Sequence, residues 1–172
     1  VSVAGLTDVM EGAHRPGHFD GVATVVTKLF LQSAATDAFF GEKDFQQLQV
    51  VRRMAADLDI PITVHGCPTI REIDGLAMAS RNLLLSDRAR TLAPRLHEEM
   101  ETLAQGVASG GAFDALQRAA IERLEKTGFT GVDYLEIRAN DDLSLIDRPD
   151  RPARLFAAAW LAGVRLIDNI AV

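Results

Sequence analysis

The sequence is poor in cysteine, has no excess of basic residues, and lacks any apolar stretch that approaches membrane-spanning length without charges. Its one cysteine, Cys67, cannot form an internal disulfide, which fits a reducing compartment; it reads as core filling rather than as a nucleophile. A formal charge of −6 and a pI near 5.2 exclude a general attraction to polyanions. Nucleic acid and membrane are therefore not expected partners, and any phosphate site must be built from locally placed Lys and Arg. No internal repeat or low-complexity tract is present. The chain opens Val-Ser-Val-Ala-Gly, without an initiator Met or the blocks of a signal peptide, and the expectation is that it begins within a larger protein.

What is present suffices for one good-sized domain or two small ones: 172 residues, 48% of them hydrophobic. Val1–Ala4 reads as a strand, and Val22, Val25, Val26, Leu29 and Phe30 as the apolar stripe of a helix. A strand over 38–40 follows, then a helix from Asp44 to about Leu58 carrying Leu48, Val51, Met54 and Ala55, then a strand at Ile62–Val64 after Pro61. Strand, helix, strand, helix, strand implies a parallel sheet with helical crossovers, although fewer strands are present than a complete doubly wound sheet needs. Beyond Pro68 the pattern changes. Thr69–Leu85 reads as a functional connection, Ser86 caps a helix running towards Gly106, and Phe113–Lys126 forms another that Gly128 ends. Val132–Arg138, Arg154–Leu161 and Val164–Ile167 read as strands, the last two joined by a hairpin at Ala162-Gly163. The expected fold class is α/β, with a partial parallel sheet in residues 1–69 and, in 70–172, a small α+β domain of two helices on a short antiparallel sheet.

Chemistry concentrates in four places. Phe39-Phe40-Gly41-Glu42-Lys43-Asp44 joins a strand to a helix N-terminus, where backbone N–H groups and the charge of Lys43 suit a nucleotide phosphate. An ordinary strand–turn–helix with solvated charges fits the same residues. Gln46 and Gln47 follow in the first helical turn, where a neutral amide can orient a small polar substrate or simply face solvent. Arg15, held in a turn by Pro16, presents a planar fork to a carboxylate or phosphate. His14 and His18 flank it at i, i+4, but Pro16-Gly17 interrupts any helix between them and no third ligand is near, so structural histidines rather than a metal site are expected. Finally, Asp74-Gly75-Leu76-Ala77-Met78-Ala79-Ser80-Arg81-Asn82 combines small residues that permit close backbone approach with a hydroxyl and a fixed positive charge. A nucleotide lying between two such phosphate-suited loops is the more persuasive reading.

Glu11-Gly12 with Arg15-Pro16-Gly17-His18-Phe19, Phe40-Gly41-Glu42-Lys43-Asp44-Phe45-Gln46-Gln47, Asp74-Gly75-Leu76-Ala77-Met78 with Ser80-Arg81-Asn82, and Arg165-Leu166-Ile167-Asp168-Asn169 together resemble the pantoate–β-alanine ligase family over essentially the whole chain. The resemblance implies a Rossmann-like nucleotidyltransferase fold, of which residues 1–69 would be the C-terminal part, and ATP-dependent joining of pantoate to β-alanine in the cytoplasm by a homodimer, with Mg²⁺ neutralising the phosphates. It implies that Gly41, Glu42, Lys43 and Asp44 form an ATP-binding turn and that Gln47 binds pantoate. Met78, Ala79, Ser80 and Arg81 would form a second ATP segment, Ile70 would contact adenine through its backbone, and Arg15 would be a further ligand-side cation. Lys43, Ser80 and Arg81 would be the catalytic residues.

Two departures from the family pattern stand out. Ala79 occupies a position where the family usually has Ser. The family's N-terminal half of the Rossmann-like domain, with its His-x-Gly-His-type motif, has no counterpart; His14 and His18 are spaced one residue too far apart to be that motif. The resemblance therefore implies a C-terminal portion, inactive alone, with a non-catalytic binding or assembly module as the alternative.

Overall fold

A computed structural model of the protein describes residues 1–172, which divide into two units, Val1–Pro68 and Thr69–Val172. In the first unit the chain runs α1 (Glu11–His14), α2 (His18–Ser33), β1 (Asp37–Gly41), α3 (Phe45–Asp57) and β2 (Thr63–Cys67). β1 and β2 pair in parallel, Asp37 opposite Thr63 through Gly41 opposite Cys67, with α3 as the crossover. The apolar period of α3 is as expected: Leu48, Val51, Met54 and Ala55 are buried, while Leu58 falls at the C-cap and is exposed. α2 differs. It starts at His18, which brings Phe19 into register, and Phe19, Ala23, Val26 and Phe30 become the buried stripe while Val25 and Leu29 face outward. The core joins that stripe to Val50, Val51, Met54 and Ala55 of α3. The strand expected at Val1–Ala4 does not form. Residues 4–7 turn instead, Thr7 Oγ1 donates to Val3 O at 2.7 Å, and Val3 packs in the core as an isolated apolar anchor.

The second unit carries α4 (Asp87–Leu92), α5 (Arg95–Ala108), α6 (Phe113–Thr127) and an antiparallel sheet in the order β3 (Phe129–Ala139), β4 (Ala153–Leu161), β5 (Val164–Ala171). Ser86 caps as expected, its Oγ accepting from Ala89 N. The single helix expected from there to Gly106 is two, because Pro94 has no N–H to continue the first and serves as the N-cap of the second. Gly128 ends α6 with φ +118°. At the β4–β5 hairpin both Ala162 (φ +50°) and Gly163 (φ +78°) are left-handed, as a tight two-residue turn between twisted strands requires. One sheet face, with Leu135, Ile137, Leu155, Ala157, Ala159, Leu161 and Leu166, meets Leu96, Met100 and Leu103 of α5 and Ala120 and Leu124 of α6. Burial of each large side chain in such a layer contributes about 1.5–3 kcal/mol.

Candidate functional site

In the first unit, β1 delivers the chain to Gly41, a 3₁₀ turn covers Glu42–Asp44, and α3 begins at Phe45. Gly41 has an ordinary extended backbone, φ −68° and ψ 132°, so turning there does not require glycine; a Cβ on it would meet nothing within 4 Å. The glycine that makes room is Gly66 in β2. A Cβ there would stand 3.0 Å from Glu42 Oε1 and from a Leu48 methyl, so Glu42 lies across bare strand backbone. Asp44, the exposed N-cap of α3, makes no side-chain capping bond, and half-buried Lys43 stands next to it in the chain.

Gln46 and Gln47 separate into two roles. Gln46 is 4% exposed, donates from Nε2 to Leu6 O and Val9 O, both at 2.8 Å, and accepts at Oε1 from Glu11 N at 3.0 Å. Three backbone groups consume its amide, so it anchors the segment ahead of α2 rather than orienting a substrate. Gln47, half-buried, stays out of that arrangement. The anchored Glu11 stands 3.8 Å from Arg15 Nη1, which also lies 3.3 Å from His18 Nε2. His14 ends α1 and His18 begins α2, so the two imidazoles do not share a helix. Within the same segment Gly12 is required: a Cβ there would collide with Thr7 O at 1.8 Å.

In the second unit, the connection ahead of α4 is an ordered hairpin. Met78 N donates to Ile70 O at 2.9 Å, Glu72 N to Leu76 O at 2.8 Å and Gly75 N to Glu72 O at 2.9 Å. Gly75, at φ +89°, sits against the His97 ring of α5, where a Cβ would come within 2.9 Å of the imidazole. Arg90 Nη1 on α4 donates to Asp74 Oδ2 at 2.6 Å, and this bond holds the Asp74 carboxyl below its ordinary range. Asn82, buried, donates from Nδ2 to Ala77 O at 3.0 Å. Arg71 reaches β5, where Nη1 and Nη2 grip Asp168 Oδ2 and Oδ1 at 2.7 and 2.9 Å. Burial alone would push the Asp168 carboxyl up; His97 and Arg71 outweigh that and hold it below the usual range. Of the two, Arg71 makes the closer contact, since His97 Nδ1 is 3.6 Å away. Past the hairpin, Ala79 is the N-cap of a 3₁₀ helix over Ser80–Leu84 and makes no side-chain cap; Ile70, Met78, Ser80 and Arg81 are exposed.

A family model described as pantoate-beta-alanine ligase matches residues 1–171. The chain belongs to that family. Pantothenate synthetases of Roseobacter denitrificans and Ruegeria pomeroyi are 72% and 62% identical to it over 172 residues, covering all of this chain and 61% and 60% of theirs. The crystal structure of pantothenate synthetase from Thermus thermophilus matches with a TM-score of 0.92 at 45% identity, over 99% of this chain and 62% of that one. A pantoate-beta-alanine ligase from Francisella tularensis, complexed with beta-gamma ATP and beta-alanine, matches with a TM-score of 0.76 at 28% identity, over 99% and 57%. The chain thus spans about three-fifths of the length of the relatives it matches.

In this pantoate–β-alanine ligase family member the fold gathers Gly41, Glu42, Lys43, Asp44 and Gln47 around one helix start, and Ile70, Met78, Ala79, Ser80 and Arg81 around one hairpin. No helix is long and apolar enough to cross a membrane. Sequence reasoning missed the supporting roles of Gln46, Gly66, Arg71 and Asp168. A signal existed for one of them, since Asp168 is a carboxylate between the apolar pair Leu166-Ile167 and Ile170, whereas Gly66 lies beyond the strand expected at Ile62–Val64.

Proposed function

We propose that this chain carries the substrate-binding segments of an ATP-dependent pantoate–β-alanine ligase. The observation that carries the reading is 72% identity, across every residue of the chain, to a protein named pantothenate synthetase. In the first step an oxygen of the pantoate carboxylate attacks the α-phosphorus of ATP; the bond to the bridging oxygen breaks, and pyrophosphate leaves with the electron pair. In the second, the β-alanine amine attacks the acyl carbon, the bond to AMP breaks, and the nitrogen loses a proton. No covalent bond to the protein is required, so catalysis rests on positioning and charge stabilisation.

Lys43 supplies positive charge to the phosphates beside the start of α3, and Gly41 leaves open the space through which a ligand approaches that turn. Gln47, the amide not consumed by backbone, orients pantoate. Ser80 and Arg81 present a hydroxyl and a guanidinium from an exposed 3₁₀ turn, Ile70 meets adenine through its backbone, and Arg15 is a further cation on the ligand side. The chain contains no cluster of three His, Cys, Asp or Glu able to cage a metal. Magnesium, which characteristically binds phosphates with one or two carboxylates, fits as a nucleotide-borne ion for which the exposed Asp44 is a suitable extra ligand. When bound it would neutralise phosphate charge. The reading includes residues 1–69 as part of a Rossmann-like nucleotide-binding domain, residues 70–172 as the C-terminal domain, a cytoplasmic location and a homodimer.

The test is AMP and pyrophosphate release by the protein at its encoded length, which should require pantoate for pyrophosphate and both pantoate and β-alanine for AMP. Release without pantoate, or none with all three substrates, overturns the reading. The three-fifths coverage of its relatives favours a second reading for the 172 residues by themselves, a binding module without turnover. Isothermal titration with ATP and pantoate distinguishes this module, which binds at least one, from an inert scaffold, which binds neither.

A further inference from the structure

We infer that Arg71 and Asp168 are positioning residues for the nucleotide segment, acting by clamping the hairpin 70–78 onto β5; the inference rests on the ligase reading above. The hairpin's two arms meet where Met78 N donates to Ile70 O, so the adenine-side backbone and the start of the Met78–Arg81 segment move as one piece. Arg71 is the residue next to Ile70, and it ties that arm to the sheet by an ion pair. Its grip is two-pronged and spent inside the protein: Nη1 also donates to Gly75 O at 3.0 Å, and Nη2 lies 3.4 Å from Asn169 O. Asp168 is 5% exposed and accepts in addition from Asn169 N at 2.8 Å, so the carboxylate is rigidly aimed. A buried charge on a central position of β5, matched to a guanidinium whose donors point into the protein, is a poor investment for stability alone, because apolar residues in the same space do as well or better. Their planar, two-bond geometry fixes orientation, which is what a segment near a reacting phosphate needs. The Gly75–His97 contact closes the other side of the same seat: glycine lets the hairpin tip settle on the imidazole.

Two substitutions in the protein at its encoded length test this. Arg71→Lys keeps the charge and loses the two-pronged geometry; Gly75→Ala keeps both side chains of the ion pair but adds a Cβ where His97 stands and at a left-handed φ. Each is expected to lower kcat/KM for ATP about 10- to 100-fold while the KM for β-alanine stays within about two-fold. Amide exchange should quicken at Glu72 and Met78 and stay unchanged at Leu135 and Ile137 in β3. Faster exchange at Glu72 and Met78 with unaltered ATP kinetics would show a merely structural clamp and overturn the inference. So would an equal loss against every substrate, or ATP kinetics that change without any change in exchange. If the unsubstituted protein releases no pyrophosphate from ATP and pantoate, the ligase reading itself falls, which is a separate result from a normal parent with indifferent variants.

Discussion

The two units bury apolar surface by different means. In Thr69–Val172 every strand is antiparallel to its neighbour, and α5 and α6 cover one face of the sheet with a core running from Leu76 to Leu166. In Val1–Pro68 only two parallel strands pair, and β1 leaves Asp37, Phe39 and Gly41 exposed, Phe39 to 71%. Parallel sheets are ordinarily covered on both faces and extended by further strands, because their crossovers place helices there. An antiparallel meander closes on local hairpins and needs no distant partner. The first-unit residues proposed for phosphate and pantoate thus sit on the unit with the less complete sheet, while Ser80 and Arg81, just past the hairpin, belong to the more complete one.

The largest expected effect follows directly. Expressed separately, residues 69–172 should unfold in one cooperative transition, whereas 1–68 should lack one or self-associate through its open strand edges. A cooperative, monomeric 1–68 would erase the contrast. Next in size is Lys43→Ala in the protein at its encoded length. It should reduce turnover about 10²- to 10³-fold, as loss of a group aimed at developing charge does, with the folding midpoint nearly unchanged. Normal turnover would remove Lys43 from the site. Gln46→Ala is the opposite case: three backbone groups lose their partner, and a destabilisation of about 1–3 kcal/mol is expected by denaturant titration. Gln47→Ala should leave that titration alone and weaken pantoate binding instead. Equal effects from the two would contradict their division into anchor and ligand.

Acid sharpens the comparison further. Asp168 has a folded-state pKa below the usual 3.8 of an aspartate, so between those two values the unfolded chain binds a proton that the folded chain does not. Its contribution to stability is complete above 3.8 and is lost as pH falls through the folded value. The second unit should therefore lose stability below about pH 4, and Asp168→Asn should flatten that slope. Asp37 in the first unit is also lowered, by hydrogen bonds from His65 and Thr36, but it is solvent-exposed. Its part of the titration should be shallow and should fade in salt.

Much of this was legible in local pattern. The apolar period of α3, the Ser86 cap, the Gly128 stop and the Ala162-Gly163 hairpin follow from short-range sterics and hydrogen bonding, and each formed within a few residues of its expected place. The failures share a different cause. Val3 reads as strand because it is apolar and β-branched, yet it has no strand to pair with and is used only for burial. The α2 stripe shifts because its start depends on where Gly17 releases the chain. Gln46 and Gln47 are identical in local pattern; apart from the family resemblance, only contacts 35 to 40 residues away distinguish them. The same holds for Arg71, whose partner is 97 residues distant. Family resemblance supplied the residues proposed to face ligand, and long-range contacts were needed to find what fastens the segments that carry them.

The smallest effect concerns Ala79, where the family resemblance leads one to expect Ser. The position is extended, φ −153° and ψ 147°, and forms the N-cap of the 3₁₀ helix at Ser80–Leu84, with Asn82 N donating to Ala79 O at 3.0 Å. A hydroxyl there has two candidate partners. It can bond a phosphate oxygen, or it can accept from a backbone N–H two or three residues ahead and cap the turn. Ala79→Ser should gain about 0.5–1.5 kcal/mol in either case, but the gain appears in different measurements. A phosphate bond accelerates pyrophosphate release up to roughly ten-fold and leaves the folding midpoint in place. A cap raises the midpoint and protects the Asn82 amide without changing pyrophosphate release. We expect the first, because Asn82 already ties this turn to Ala77 through its side chain and the backbone needs no second fastening. Unchanged or slower pyrophosphate release, with better protection at Asn82, would make the family's serine a cap and leave Ser80 as the hydroxyl that faces the nucleotide.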